Sequence, residues 1–369
     1  MKNILIAIRS IFKKGRHNVM KIVSLGIGLA VGLVLIAKVY FEQSYDDFYP
    51  DRDRVYQVWA KYQQNGGELK DYPQTSGGIA PTMQQQIPEI ETVTRYTSFG
   101  DWTFTMTDTK MKYSGRCIIA DSCFFDILPR PMLIGNAKEV LSTPMYVLIS
   151  SRIAKNIGGD VIGKNFTVDS SPGRTMTIGG VFEEVPENSH SRYDVIVSMA
   201  SAGRFMWEGS PTNMLGNDRY ISYVKLHKGV NPLALEEQVH TFVNSYFPPE
   251  EQQKTGFNIG FSFHELDGLH KELPQVKRMT WILSLLAFAL IFTAVMNYIL
   301  IVISSIVNRS KEVAVHKCYG ASENNIHGMM FGEALVHIVL SLILALLLIL
   351  AFRGTVEELL ATSLDSLLL

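Results

Sequence analysis

The chain has 369 residues, 47% hydrophobic and 19% charged, with a formal net charge of −1. A pI near 6.8 leaves no basic excess on which to hold nucleic acid, and a mean hydropathy of +0.12 averages very apolar stretches with an ordinary polar block. The three apolar stretches, residues 22–40, 281–307 and 334–352, are each near the roughly 20 residues that cross a bilayer, so the chain does not read as a plain water-soluble domain.

Residues 1–21 carry Lys2, Arg9, Lys13, Lys14, Arg16 and Lys21 and no acidic residue. Ile4, Leu5, Ile8, Ile11 and Phe12 fall on one helical stripe, as in a cytoplasmic amphipathic helix lying in the membrane interface. A plain extension of the first span accounts for the same residues nearly as well. The span itself is assigned to 22–40. It has a long basic leader and no small-x-small cleavage site at Phe41-Glu42-Gln43-Ser44, which favours an uncleaved anchor over a signal peptide. Gly28 and Gly32 form a small-xxx-small pair suited to close helix packing, and Lys38 is placed to snorkel to the headgroups.

Residues 41–275 read as an α+β extracytoplasmic domain, with strands in the majority and length for two lobes. Apolar alternation and β-branched or aromatic runs predict strands at 55–62, 93–97, 102–106, 112–119, 146–150, 165–168, 175–181, 193–197, 220–226 and 258–264. Helices are predicted at 81–86, 152–157 and 233–246. Gly- and Pro-rich patches at 64–67, 75–78 and 209–216 read as loops or hinges. Cys117 and Cys123 would lie on the oxidising side of the membrane, where their spacing permits a disulfide without specifying one. Cys318 reads as a small buried residue or a free thiol.

The second span is assigned to 276–307 within its helix, a cytoplasmic loop to 308–330, the third span to 331–352 and an extracytoplasmic tail to 353–369. Arg309, Lys311 and Lys317 in the short loop, with the basic leader, put the N-terminus and that loop in the cytoplasm and the large domain outside. Asn297 and His337 are polar positions in or near the spans; interhelical packing is favoured over a transport role for both.

Two catalytic motifs fail on inspection. Gly158 to Lys164 fits seven positions of a phosphate-binding loop, but Asn165 stands where the magnesium-binding hydroxyl belongs, and the segment follows a predicted helix rather than a strand. A glycine turn that ends a helix accounts for it. His264 and His270 are six residues apart with Gly268 between them, where a zinc-peptidase helix needs a spacing of four. Neither a nucleophile nor a metal set is proposed, so the chain reads as a non-enzyme without a cofactor of its own.

The deciding stretch joins the second and third spans. Asn297 is followed by Arg309, Lys311, Glu312, His316, Lys317, Gly320, Ala321 and Ser322: a short charged helix and a tight turn between two membrane helices. Such a segment suits docking to a cytoplasmic partner, because a force on it reaches both spans. The arrangement resembles the FtsX-like permease family, and more closely its MacB-type members. The likeness rests on Asn297, Lys311, Glu312, Lys317, Gly320, Ala321 and Ser322, with His316 where the family usually has Arg. It extends over Ser44 to Phe48 with Arg54-Val55-Tyr56, over Phe124 to Leu128 with Gly135, over Ile149 to Lys164, over Gly179-Gly180-Val181 and over Pro186 to His190.

The resemblance implies a permease subunit of a mechanotransmission-type ABC transporter in the bacterial inner membrane, its periplasmic core domain on the outside. A separate cytoplasmic ABC ATPase dimer would bind ATP and grip the 308–330 loop. The resemblance further implies membrane lipid around the spans, a homodimer or a paired homologous permease, and a periplasmic adaptor and outer-membrane channel as further partners, with no nucleic acid. Efflux or extraction of an amphiphile, peptide or lipoprotein is the expected work. A non-transporting regulator of cell-wall hydrolases and a membrane-anchored sensor are the alternatives. The family's minimal unit has four spans where this chain shows three, so the tail reads as truncated.

Overall fold

The computed structural model describes residues 18–308, 318 and 323–367. They form two compact units, one of residues 45–270 and the other from the chain before and after it.

The first membrane helix, α1, spans Asn18–Gln43. In the outer block β1 (Val55–Gln64) and β2 (Lys70–Tyr72) are joined by a turn whose Asn65 and Gly66 both have positive φ, 50° and 70°. Helix α2 (Ile79–Gln86) leads into β3 (Ile90–Met106) and β4 (Lys112–Ala120). Short helices α3 (Phe124–Ile127) and α4 (Ala137–Ser142) flank β5 (Met132–Ile134). Then come β6 (Tyr146–Ser150), α5 (Ser151–Ile157), β7 (Asn165–Val168), β8 (Ser171–Phe182), β9 (Val195–Ser198) and β10 (Ile221–Leu226). Helices α6 (Glu236–Tyr246) and α7 (Pro249–Thr255) precede the last strand, β11 (Phe257–Glu265).

All the strands belong to one eleven-stranded mixed sheet, in the order β11-β1-β10-β3-β4-β9-β6-β8-β5, with β2 beside β1 and β7 between β3 and β8. The two expected lobes are therefore not separate. The reason is β3, which covers both predicted strands 93–97 and 102–106 in one 17-residue run. A register shift between Ser98 and Gly100 bends it, so that its first half pairs with β10 and its second with β7, while β4 runs along both. Its side chains enter all three buried clusters: Phe104 and Met106 pack with Phe166 and Ile178, Tyr96 with Phe124 and Tyr223, and Val93 with Met83 and Phe242. Each such buried side chain contributes roughly 1.5–3 kcal/mol.

Two of the expected hinges are locked. Thr75 bridges to Tyr220, and Ser76 Oγ donates to the carbonyl of Gly216 at 2.8 Å. Gly77 leaves no room for a Cβ, which would meet Ser210 O at 2.3 Å. The Arg95 guanidinium, 3.1 Å from Asp121 through Nε, donates to the carbonyls of Gly77 and Pro211 and fastens both patches to β3.

In the membrane unit α1 packs against α8 (Pro274–Asn308) and α9 (Glu323–Ala351). Apolar spans run over Asn18–Gln43, Pro274–Ser304 and Met330–Ala351. The tail is ordered: α10 (Arg353–Leu360) and α11 (Leu364–Leu367) are separated by Ala361 at φ 49°, and Glu357 Oε1 accepts from Leu364 N at 2.8 Å. Leu364 and Leu367 are buried, and α11 packs on α1. Lys38 is turned onto protein partners rather than outward. It is 8% exposed, 2.7 Å from Glu42 Oε1, and donates to Thr362 Oγ1 of the tail at 2.7 Å.

Candidate functional site

The outer block is fastened where the chain enters and leaves it. Three residues beyond the end of α1, Asp46 takes a left-handed conformation at φ 61°, which a short polar side chain tolerates better than most. Its carboxylate is fully buried. Oδ1 accepts from Ser189 Oγ at 3.1 Å and from the His190 amide at 3.3 Å, while Oδ2 lies 2.7 Å from His190 Nδ1. His190 Nε2 lies 2.5 Å from the Tyr223 hydroxyl, so the ring bridges the buried carboxylate and the phenol. Tyr223 is fully buried on β10, and the Asp46 amide donates to Asn188 O at 2.9 Å. Burial pushes the Tyr223 phenol well above its ordinary range, so it stays protonated. The segments 44–48 and 186–190, singled out in the sequence as separate runs, meet here.

Entry and exit are also tied to each other. β1 and β11 are antiparallel neighbours, with Tyr56 opposite Glu265. Tyr45 stacks on His270 with ring centroids 3.4 Å apart, and Arg52 Nε lies 3.1 Å from Asp267 Oδ1. Asp51 joins Arg54 Nε at 3.0 Å and Lys225 Nζ at 2.5 Å, and the hydrogen bonds from these two cations hold its pKa down to about 2. The chain thus goes in and comes out at one end of one pair of strands.

The glycines of α1 bring membrane helices together. A Cβ on Gly28 would sit 2.2 Å from the Ala294 Cβ of α8, and one on Gly32 would sit 2.4 Å from Ile291 Cγ1. On α9, Leu344 closes over Gly26, and Ser341 Oγ donates to Ile22 O at 3.1 Å. His337 of α9 is buried, its Nδ1 3.4 Å from the Tyr298 hydroxyl of α8. Asn297 is exposed on α8.

The sequence's coupling segment, Arg309, Lys311, Glu312, His316, Lys317, Gly320, Ala321 and Ser322, lies outside the described residues, as does the amphipathic stretch 1–17. Cys318 is described, exposed and free, so it is not the small buried residue that was one expectation.

Cys117 and Cys123 are free; one is fully buried in the core, the other donates to Val93 O, and burial raises both thiols. Gly158 ends α5 at φ 74° and Gly163 turns the chain into β7, the helix-ending turn that imitated a phosphate loop. His264 stacks on Trp59 while His270 stacks on Tyr45, and no group of three metal-ligating side chains occurs among the described residues. A cleft of about 420 Å3 is lined by charges of both signs, including Arg116, Arg192 and Asp101. Its Arg152 already spans Glu184 and Asp194 at 3.2 and 2.5 Å.

Sequence reasoning missed Asp46, His190 and Tyr223 as one group. The signal was a lone Asp, a lone His and a strand Tyr, separated by 144 and 33 residues, and only the fold joins them.

Two family patterns match this chain. The MacB-like periplasmic core domain matches residues 20–242, and the FtsX-like permease C-terminal region matches 284–367. Among solved structures, a domain from Porphyromonas gingivalis described as belonging to a permease protein is 33% identical, with a TM-score of 0.54, over 59% of this chain and 91% of that one. The periplasmic region of MacB from Actinobacillus actinomycetemcomitans is 17% identical over 56% of this chain and 87% of that one, with a TM-score of 0.36. The extracellular domain of the ABC-type transporter YknZ from Gram-positive bacteria is 10% identical over 56% and 98%, with a TM-score of 0.39. No curated protein matches the chain.

Proposed function

The chain belongs to the family of MacB-like, FtsX-type membrane permeases, and from that premise we propose that it is the membrane subunit of an ABC transporter that works by moving its outer domain. The family is a transmembrane component and not itself catalytic, so ATP is bound and hydrolysed by a separate cytoplasmic ATPase dimer. That dimer grips the segment around Glu312 to Ser322 between the second and third spans. The work done outside is efflux or extraction of an amphiphile, peptide or lipoprotein, by a pair of permease copies in the bacterial inner membrane.

The observation that carries this reading is the way the outer block is rooted. Asp46, three residues past α1, is locked through His190 to a central strand. The exit at 265–270 is tied to the same end of the block through β1, Tyr45 and Arg52. The first and last residues of the outer block are thus fixed to its own sheet, which is what a domain worked from its two chain ends requires.

The test is made on the permease assembled with the ATPase that co-purifies with it. Glu312→Ala, or Gly320→Leu with Ala321→Leu, should leave insertion and ATP hydrolysis in place and abolish the nucleotide-dependent distance change between spin labels on the outer block. A full distance change in these variants overturns the reading.

A further inference from the structure

The mixed-charge cleft of the outer block holds ionised groups that the fold does not use. Its volume is about 420 Å3, and three arginines line it: Arg116 on β4, Arg152 on α5 and Arg192 just before β9. Arg152 is spent, 3.2 Å from Glu184 Oε1 and 2.5 Å from Asp194 Oδ1. Asp194 is spent as well. Its Oδ2 accepts from the Arg116 amide at 3.0 Å, and its own amide donates to the Arg116 carbonyl at 2.8 Å, which fixes the backbone that carries the Arg116 side chain. Asp101 stands opposite Arg116 on the neighbouring strand. Among the described residues, the guanidiniums of Arg116 and Arg192 and the carboxylate of Asp101 have neither an ion pair nor a hydrogen bond, and all three residues are exposed. One hollow therefore keeps two cations and one anion in reserve.

We propose that this cleft binds a phosphoethanolamine group, its phosphate between Arg116 and Arg192 and its ammonium on Asp101. A guanidinium fork matches phosphate oxygens two at a time, and a tetrahedral phosphate offers oxygens outside one plane to arginines that come from different walls. A simple anion would leave Asp101 facing a like charge, and a simple cation would face two arginines; a group with both charges a few ångströms apart suits all three side chains. The ammonium is a primary one, because a quaternary ammonium is held by aromatic faces. Tyr193, the one aromatic residue lining the cleft, is only 3% exposed. The same head group occurs on a phospholipid and on a soluble phosphate ester, and the experiment separates the two.

The experiment uses the full chain purified in detergent and needs no ATPase, so its failure leaves the permease reading untouched. Glycerophosphoethanolamine should bind more tightly than glycerophosphate or ethanolamine, and more weakly as salt rises. Arg116→Gln and Arg192→Gln should each weaken it about three- to tenfold, a modest loss because the side chains are exposed, with thermal unfolding unchanged. Asp101→Asn should keep the binding of glycerophosphate and abolish the preference for the ethanolamine ester. Native mass spectrometry then reads the source. Phosphatidylethanolamine that is carried through purification, displaced by glycerophosphoethanolamine and lost when both arginines are replaced supports a lipid head group. Binding of the soluble ester with no carried lipid supports a free ester. No binding of the ester, equal binding after replacement of both arginines, no preference for the ester over its two halves, or tighter binding of free alanine (a carboxylate zwitterion) overturns the proposal.

Discussion

In the outer block, side chains far apart in sequence converge on a buried carboxylate; in the membrane unit, helix backbones converge on each other. Asp46 reaches Ser189 and His190, and His190 reaches Tyr223. Gly28 and Gly32 instead remove their side chains so that α8 can close on α1. The solvent explains the contrast. Water rewards burial of aromatic and aliphatic side chains, and the outer block adds polar networks to select one arrangement among many apolar ones. Lipid tails are as apolar as the helices, so in the spans there is little to gain from burying a leucine and more from close backbone approach. The outer block should therefore be most sensitive to lost polar partners, and the spans to added bulk.

The sharpest test of that contrast is His190→Ala, which strands a fully buried carboxylate. A hydrogen bond to a charged group contributes about 1.5–3 kcal/mol, and leaving such a charge short of partners costs about as much again, so a loss near 3 kcal/mol is expected. It is read from the exchange protection of β10 amides. Asp46→Asn with His190 intact should cost less, because an amide keeps part of the network. If the two variants cost the same, the charge is irrelevant. Next in size is Gly28→Ala. Its Cβ would lie 2.2 Å from the Ala294 Cβ, and overpacking of this kind costs about 1–3 kcal/mol. Ala294→Gly in the same chain should restore the folded fraction in detergent, whereas Gly28→Ala should have no effect on β10 exchange. An unrescued double variant would place the strain somewhere other than this contact.

What the sequence revealed follows the same division. The strands at Tyr146–Ser150 and Asn165–Val168 were legible to the residue, because β-branched and aromatic alternation is a local signal and the neighbouring turns are marked by glycine. The three spans were legible from length and apolarity, although each helix runs several residues past the apolar stretch. The unity of the sheet was not legible, since one bulge at Ser98–Gly100 makes a continuous β3 look like two strands. The very short β2 and β5 carry too few residues for any period. The fate of Lys38 was misread for a similar reason. A lysine near the end of a span says "snorkel" unless one knows that Thr362, 324 residues away, waits at its tip. The coupling segment was named from its own residues, and the clasp at Asp46 was out of reach because its members are common residues whose meaning is positional.

The smallest effect expected is a pH dependence confined to the outer block. Burial beside Trp59 lowers the pKa of His264 below the ordinary histidine value, with the Asp71 carboxylate opposing. The neutral ring is therefore the form that the fold prefers, and the unfolded chain binds the proton more readily. Stability from this group is level well above the ordinary histidine pKa of about 6.5, where both states are neutral, and falls as the pH drops through that value toward the depressed folded one. Asp51 works in a lower window. Its folded pKa of about 2 means that its contribution is complete above the unfolded carboxylate range and is lost as the pH falls through that range toward 2. Thermal unfolding of the outer block followed from pH 7.5 to 5 should thus show a shallow decline that His264→Gln flattens and Asp51→Asn leaves alone. Below pH 4 the roles reverse. If Asp51→Asn flattened the upper window, the assignment of the two groups would be wrong. If membrane-unit unfolding showed the same slope as the outer block, the titration would belong to neither.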